Sequence, residues 1–218
     1  MKINEQYSDT DIIDKIVQGE FALFEILIRR YNPYLYKIGR SYNYNHEDTQ
    51  DLMQEAFISV YTNLIKFEKR STFKTWIIKI MLNCCYKKQQ KFSSKNEVLK
   101  NIKNNAIPVF SGDQNTDTNK IIMNKELGHI IETALSQVPK EYRVVFSLRE
   151  INGLNISETA DVLNISESNV KVRLNRAKTM LRKEIEKSYT SAEIFEFNLI
   201  YCNEMVDRVM GKLQALRE

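Results

Sequence analysis

Glycine and proline are scarce in this chain, six and three respectively among 218 residues. With Leu, Ile, Lys, Glu, Asn and Ala plentiful, that scarcity favours helices over turn-rich β structure. Cysteine is equally sparse. Cys84, Cys85 and Cys202 cannot all pair internally, and none sits in a C-x-x-C motif. His46 and His129, the only histidines, stand apart from each other and from the cysteines. A disulfide scaffold, a structural zinc site or any other metal or cofactor centre is therefore not expected. Long apolar runs are missing too: none approaches the ~18 uninterrupted residues of a membrane span. The opening Met1-Lys2-Ile3-Asn4-Glu5-Gln6 has no apolar signal region. These absences predict a cytoplasmic protein without membrane insertion.

What is present is helical periodicity. The length suits one or two domains and suffices to bury a core without staples. From Asp9 to about Gln90, apolar residues recur in stripes: Ile12, Ile13, Ile16 and Val17; Phe21, Phe24, Leu27 and Ile28; Tyr34, Leu35 and Ile38. Leu52, Ala56, Phe57, Val60 and Leu64 continue the pattern, then Trp76, Ile77, Ile80 and Met81. Ser8 or Asp9 suits the cap of the first helix, and Pro33 suits the opening turn of another. Between Phe92 and Asn124 the periodicity fades into Ser, Asn, Pro and Asp, which reads as linker. The expected layout is all-α: a helical domain over 1–92, a linker over 93–124 and a second helical domain over 125–187. An amphipathic C-terminal helix follows over 188–218, with Ile194, Phe197, Tyr201, Met205, Val209 and Leu213 on one side.

The sharpest local pattern runs from Ser157 to Lys183. Ser157 suits a cap for a short helix with Ala160 and Leu163 facing inward. Asn164 stands where a left-handed turn residue is wanted. Ser166 then suits a second cap, with Val170 and Leu174 on the buried side. A small residue, a turn residue four positions on and an apolar anchor six further describe a helix-turn-helix. The exposed face of its second helix offers Ser168, Asn169, Lys171, Arg173, Asn175, Arg176 and Lys178, donors suited to phosphates and base edges. The net charge of +4 and pI near 8.8 are too mild to name a nucleic-acid partner alone; this local clustering does so.

Two further constellations lie upstream. Asp48, Asp51 and Glu55 fall at helical spacings of three and four, so they share one face. A basic partner, a metal or plain solvent each fit such a face. Downstream, Lys66 to Lys91 interleaves Phe67, Phe73, Trp76 and Tyr86 with Lys69, Arg70, Lys74, Lys79, Lys87 and Lys88. Rings beside cations suit single-stranded nucleic acid, while a core role also fits Phe73 and Trp76. The short loop Glu68 to Ser71 suits a pocket for an unstacked base.

Together these motifs resemble a bacterial RNA polymerase sigma factor of the small extracytoplasmic-function type. Asp51-Leu52-Met53-Gln54-Glu55-Ala56-Phe57 is similar to the family's polymerase-binding helix. Phe73-Lys74-Thr75-Trp76-Ile77 with Asn83 is similar to its promoter-melting segment. Val138 to Phe146, Glu158-Thr159-Ala160 and Val170 to Ala177 are similar to its DNA-binding C-terminal domain. The resemblance implies partners, core RNA polymerase and promoter DNA, with an anti-sigma factor as a further one. It implies that Asp48, Asp51, Leu52, Gln54, Glu55 and Phe57 dock the polymerase. It assigns −10 DNA to Lys66, Phe67, Lys69, Arg70, Ser71, Thr72, Phe73, Lys74, Trp76, Lys79, Asn83, Lys87, Lys88 and Lys91. It assigns −35 DNA to Ser157, Ser166, Glu167, Ser168, Asn169, Lys171, Arg173, Arg176 and Lys178. No catalytic residue, metal or cofactor is implied. The melting helix departs from its relatives in ending on lysines where they often carry an arginine, and lysine lacks the planar fork for bidentate base readout. A helix-turn-helix regulator binding duplex DNA as a dimer is the alternative reading. A metal-dependent nuclease using Asp48, Asp51 and Glu55 lacks any further converging ligand.

Overall fold

The computed structural model describes residues 7–95, 128, 130–188, 206, 208–210 and 212. Among them regular structure is helical throughout, with no strand. Four helices form the first half: α1 (Asp9–Val17), α2 (Phe24–Ser41), α3 (His46–Thr62) and α4 (Phe73–Lys95). Four form the second: α5 (130–137), α6 (Lys140–Phe146), α7 (Ile156–Leu163) and α8 (Glu167–Ser188). A π-helical turn, Ser147–Ile151, continues α6. None of the described helices is long and apolar enough to cross a membrane.

Capping chemistry sets several helix starts. Ser8 caps α1 in a reciprocal box with Asp11, and Asn45 caps α3 by accepting from the Asp48 backbone N–H at 2.7 Å. The buried stripes are largely those expected, from Ile12, Ile13 and Ile16 through Leu27, Leu35, Leu52 and Val60 to Ile77 and Met81. Two expected core residues are corrected. Val17 is the last residue of α1 and Phe21 lies in the following 3₁₀ turn, so neither faces the bundle and both are exposed. Pro33 does not open a helix but sits inside α2. Its own position is exposed, which leaves the Arg29 carbonyl that it deprives of a donor within reach of water.

The two halves interlock. Val144, Leu148, Leu154 and Val162 of the second half belong to the same buried cluster as the first-half core. At the seam Arg143 is almost wholly buried, and its guanidinium is held entirely by carbonyls. Nη1 donates to Leu135, Ser136 and Val138 within its own half, and Nε donates to Ser41 at the end of α2 at 2.6 Å. These acceptors cluster at two helix C-termini, the ends that carry partial negative charge. Burial pulls its pKa down to about 10, well above neutrality, so the charge is kept. Beside it Arg40 pairs with Glu132 at 2.6 Å, both largely buried.

The sequence layout maps onto this only in part. The expected linker and the apolar stripe of Ile194, Phe197, Tyr201, Met205 and Leu213 lie outside the described residues, as does Cys202. The exceptions are 93–95, which end α4 as helix, and Val209, which is exposed.

Candidate functional site

Three surfaces carry the chemistry. The first is the outer face of α3. Its inner face buries Thr49, Leu52, Ala56, Phe57 and Val60. That leaves Asp51, Gln54 and Glu55 exposed as a short acidic and polar patch. Direct partner contact is therefore corrected for Leu52, whose side chain is core, and reduced for Phe57 to the edge of a cleft. Asp48 also leaves the patch: its carboxylate accepts from Lys88 of α4 at 2.6 Å. Residues assigned to different partners thus hold each other and brace α3 against α4. Beside the acidic patch lies an open apolar cleft of about 530 Å³ between α2 and α3, walled by Phe24, Ile28, Met53, Phe57, Ile58 and Tyr61. Ile58 and Tyr61 are exposed and were not singled out from sequence. Their signal was there, since both are large apolar side chains off the buried stripe of α3.

The second surface is α4 with the loop before it. Thr72 opens the helix by accepting from the Thr75 N–H at 3.1 Å. Phe73 is buried, touching Tyr31, Phe67 and Trp76 ring to ring at 5.2 to 5.7 Å. A direct DNA contact for Phe73 is corrected on that ground; it supports the ring cluster from beneath. Phe67 and Trp76 are half-buried at the edge of the cluster. Lys79, Asn83, Lys87 and Lys91 repeat every four residues and form one exposed line along α4. Lys66, Lys69, Arg70, Ser71 and Thr72 are exposed at its start. Tyr86, exposed among these lysines, adds a ring that the sequence assignment omitted. Lys69 holds a left-handed φ of 57° and makes two contacts to Asp14 of α1, at 2.7 and 2.9 Å, which tie the loop to the first helix. Lys74 points inward, over the Tyr34 ring at 4.4 Å. Burial lowers its pKa, against the opposing pull of Glu158.

The third surface is the helix-turn-helix. Asn164 takes the left-handed conformation, φ 52° and ψ 50°, between α7 and α8. Ala160 and Val170 pack with Val145, and Leu163 and Leu174 close around them. Ser166 accepts from the Asn169 N–H at 3.2 Å, as expected of a cap. Ser157 is not a cap: Asn155 is, in a reciprocal box with Glu158, and Ser157 stands exposed one residue into α7. Along α8, Glu167, Ser168, Lys171, Arg176 and Lys178 face outward. Arg173 is partly tucked against Asn169, donating to its side-chain oxygen at 2.9 Å. Lys178 pairs with Glu150 at 3.0 Å. Val172 is exposed on the same helix and was missed from sequence. An apolar side chain there suits contact with a thymine methyl group.

The chain matches two family descriptions, "Sigma-70 region 2" over 27–92 and "Sigma-70, region 4" over 128–181, together more than half of its length. The first contains α3 and almost all of α4, the second the helix-turn-helix. Among curated proteins it is similar to the ECF RNA polymerase sigma-E factor of Haemophilus influenzae, 26% identical over 84% of this chain and 97% of that one. It is similar to the ECF RNA polymerase sigma factor SigW of Bacillus subtilis, 27% identical over 79% and 94% of the two chains. Among solved structures its fold is like that of the sigma factor RpoE of Bartonella quintana, solved with the anti-sigma factor NepR. The TM-score is 0.60 at 17% identity, over 75% of this chain and 96% of that one. With both regions present in order, one containing the cationic and aromatic face of α4 and the other the helix-turn-helix, the chain belongs to the sigma-70 family as a promoter-recognition subunit of RNA polymerase of the extracytoplasmic-function type.

Proposed function

We propose a residue-level division of labour for this promoter-specificity subunit. Asp51, Gln54 and Glu55, with the cleft of Phe24, Met53, Ile58 and Tyr61, dock core polymerase. Charge steers the encounter and apolar contact holds it. Lys66, Lys69, Arg70, Ser71 and Thr72, the ring edge of Phe67 and Trp76, and the line Lys79, Asn83, Lys87 and Lys91 take the −10 strand. The phosphates meet cations while an unstacked base enters the loop. Ser168, Asn169, Lys171, Val172, Arg173 and Arg176 enter the major groove at the −35 element. The observation that carries this is the separation of three chemically different surfaces onto three helices: acidic with apolar on α3, cationic with aromatic on α4, cationic and polar on α8.

The domains follow the layout read from sequence, 1–92 and 125–187 with a connection between them and 188–218 as an extension, except that α4 carries the first unit on to residue 95. Each DNA-binding unit need not bind tightly alone, because tethering and the polymerase raise its effective concentration at its element. The nucleotide-transfer chemistry belongs to the polymerase, and the chain acts in the cytoplasm. An anti-sigma factor is a further partner, as NepR is for the Bartonella protein.

Run-off transcription with purified core polymerase and a pool of promoter fragments tests the reading. Asp51→Lys with Glu55→Lys should abolish both co-migration with core and initiation while leaving the helical spectrum unchanged, since both side chains are exposed. Initiation that needs the chain but tolerates the double change would remove α3 from the docking site. No initiation at all would favour the duplex-binding regulator.

A further inference from the structure

A small cavity, about 60 Å³, lies where α2, α5, α6 and the π-helical turn meet. Lys37, Arg40 and Ser41 line it from α2, Glu132 from α5, Arg143 from α6 and Ser147 from the turn. None of these residues belongs to the three surfaces described above. Ser147 Oγ reaches the Lys37 carbonyl at 3.5 Å, and the exposed Asn43 at the rim donates to the Ser136 carbonyl at 3.3 Å.

The lining carries more positive charge than negative. Arg40 gives its guanidinium to Glu132 and to the Tyr44 carbonyl, each at 2.6 Å, so the one carboxylate of the lining is already neutralised. Lys37 and Arg143 remain. Lys37 is half-buried, and its ammonium meets only the Tyr34 ring, 5.9 Å from the centroid, among the described residues. Arg143 is 6% exposed. Its Nε and Nη1 are filled by four carbonyls, whereas Nη2 donates to nothing among the described residues. Nη2 is not sealed in either, so the little surface that Arg143 keeps opens on the cavity that it lines. Two cations without a counter-charge thus face one enclosed space, an arrangement that favours an anion there.

We propose that this cavity is a binding site for a phosphate group, held by Arg143 Nη2 and the Lys37 ammonium. A tetrahedral oxyanion presents several acceptor oxygens at once, which suits a guanidinium donor and an ammonium placed on different helices. The volume takes a few waters or one such group and excludes a base or a peptide. Orthophosphate and the phosphate end of a larger molecule offer the same oxygens, and the rim at Asn43 leaves room for a substituent to project outward. Bound there, the group adds a contact between α2 and α6.

Calorimetric titration of the full-length chain with sodium phosphate, at ionic strength held constant with sodium chloride, should give saturable binding of one equivalent. The melting temperature should rise in parallel, since the anion binds the folded form. Lys37→Ala should weaken binding about tenfold, the loss of one charge-assisted hydrogen bond at a half-exposed position. Lys183→Gln, which removes a positive charge from an exposed position outside the lining, should leave it unchanged. Arg143 also holds the seam, so its part is read without substitution: phosphate should slow amide exchange over 37–43 and 135–147 and not along α8.

Adenosine monophosphate serves as the second probe. Tighter binding than orthophosphate would identify the site's ligand as the phosphate end of a larger molecule, and equal binding would identify it as the free anion. Binding that never saturates, equal weakening in Lys37→Ala and Lys183→Gln, or slowed exchange along α8 instead would each assign phosphate to the general basic surface and overturn the site. So would the absence of both heat and a melting shift with either probe.

Discussion

Gly39 shows how a single residue sets the distance between helices. It lies near the end of α2, and a Cβ built on it would stand 2.5 Å from Thr49 Cγ2 and 3.0 Å from Thr49 Oγ1 of α3. Both residues are buried, so neither helix has room to yield. Gly39→Ala should destabilise the fold by about 1–3 kcal/mol, the usual cost of overpacking a tight core. A urea titration of the variant checks it, and a neutral effect would mean that α2 and α3 slide apart easily. This contact was not legible in the sequence, where Gly39 follows Ile38 without comment. The same holds for Asp48 and Lys88, forty residues apart, which were assigned to different partners and turn out to grip each other. Residue type foretold their charge, and the crossing of α3 with α4 decided where it was spent.

At the scale of elements, the turn between α7 and α8 was the most legible feature. Asn after Leu163, with Ala160 and Val170 at the right spacings, pointed to the left-handed turn that Asn164 adopts. Asn164→Ala should cost roughly 1 kcal/mol, because alanine keeps the Cβ but lacks the short polar side chain that eases asparagine into left-handed backbone, while Asn164→Gly should be nearly neutral. Thermal melts of the two variants separate these outcomes. Equal losses would show that the Asn side chain itself, and not its backbone, is what the turn needs. The starts and ends of helices were harder to read. Asn155 and Ser157 are both competent caps, and only the reciprocal bond between Asn155 and Glu158 decides between them. Pro33 looked like a helix start because that is where proline usually sits. The buried stripe of Leu27, Tyr31, Leu35 and Ile38 runs straight past it and outweighs the lost hydrogen bond.

The molecule as a whole was the least legible, because its seam depends on contacts between residues a hundred apart. Periodicity finds the apolar face of α7 but not that Val162 joins the core of α1–α4. That core also buries titratable groups. Burial pushes the Cys84 thiol up to about 11, reinforced by Glu55 and opposed by Lys87. Burial likewise raises Cys85, Tyr31, Tyr42 and Tyr44. Each is an acid whose folded form holds its proton to higher pH than the unfolded chain does. Between about 9 and 11 the unfolded state therefore binds fewer protons, and stability falls as pH rises through that window. Urea midpoints should be flat up to about pH 8 and then decline, with thiol alkylation accelerating in step. Midpoints that hold steady to about pH 11 would place these groups in contact with water.

Arg143 has a further consequence for how the seam comes together as the chain folds. Three of its four carbonyl partners travel with it in α5 and the turn to α6; only Ser41 belongs to the other half. Three carbonyls of its own half therefore fix the guanidinium, and Ser41 completes the set. A side chain aimed in advance loses little conformational entropy when α2 docks against it.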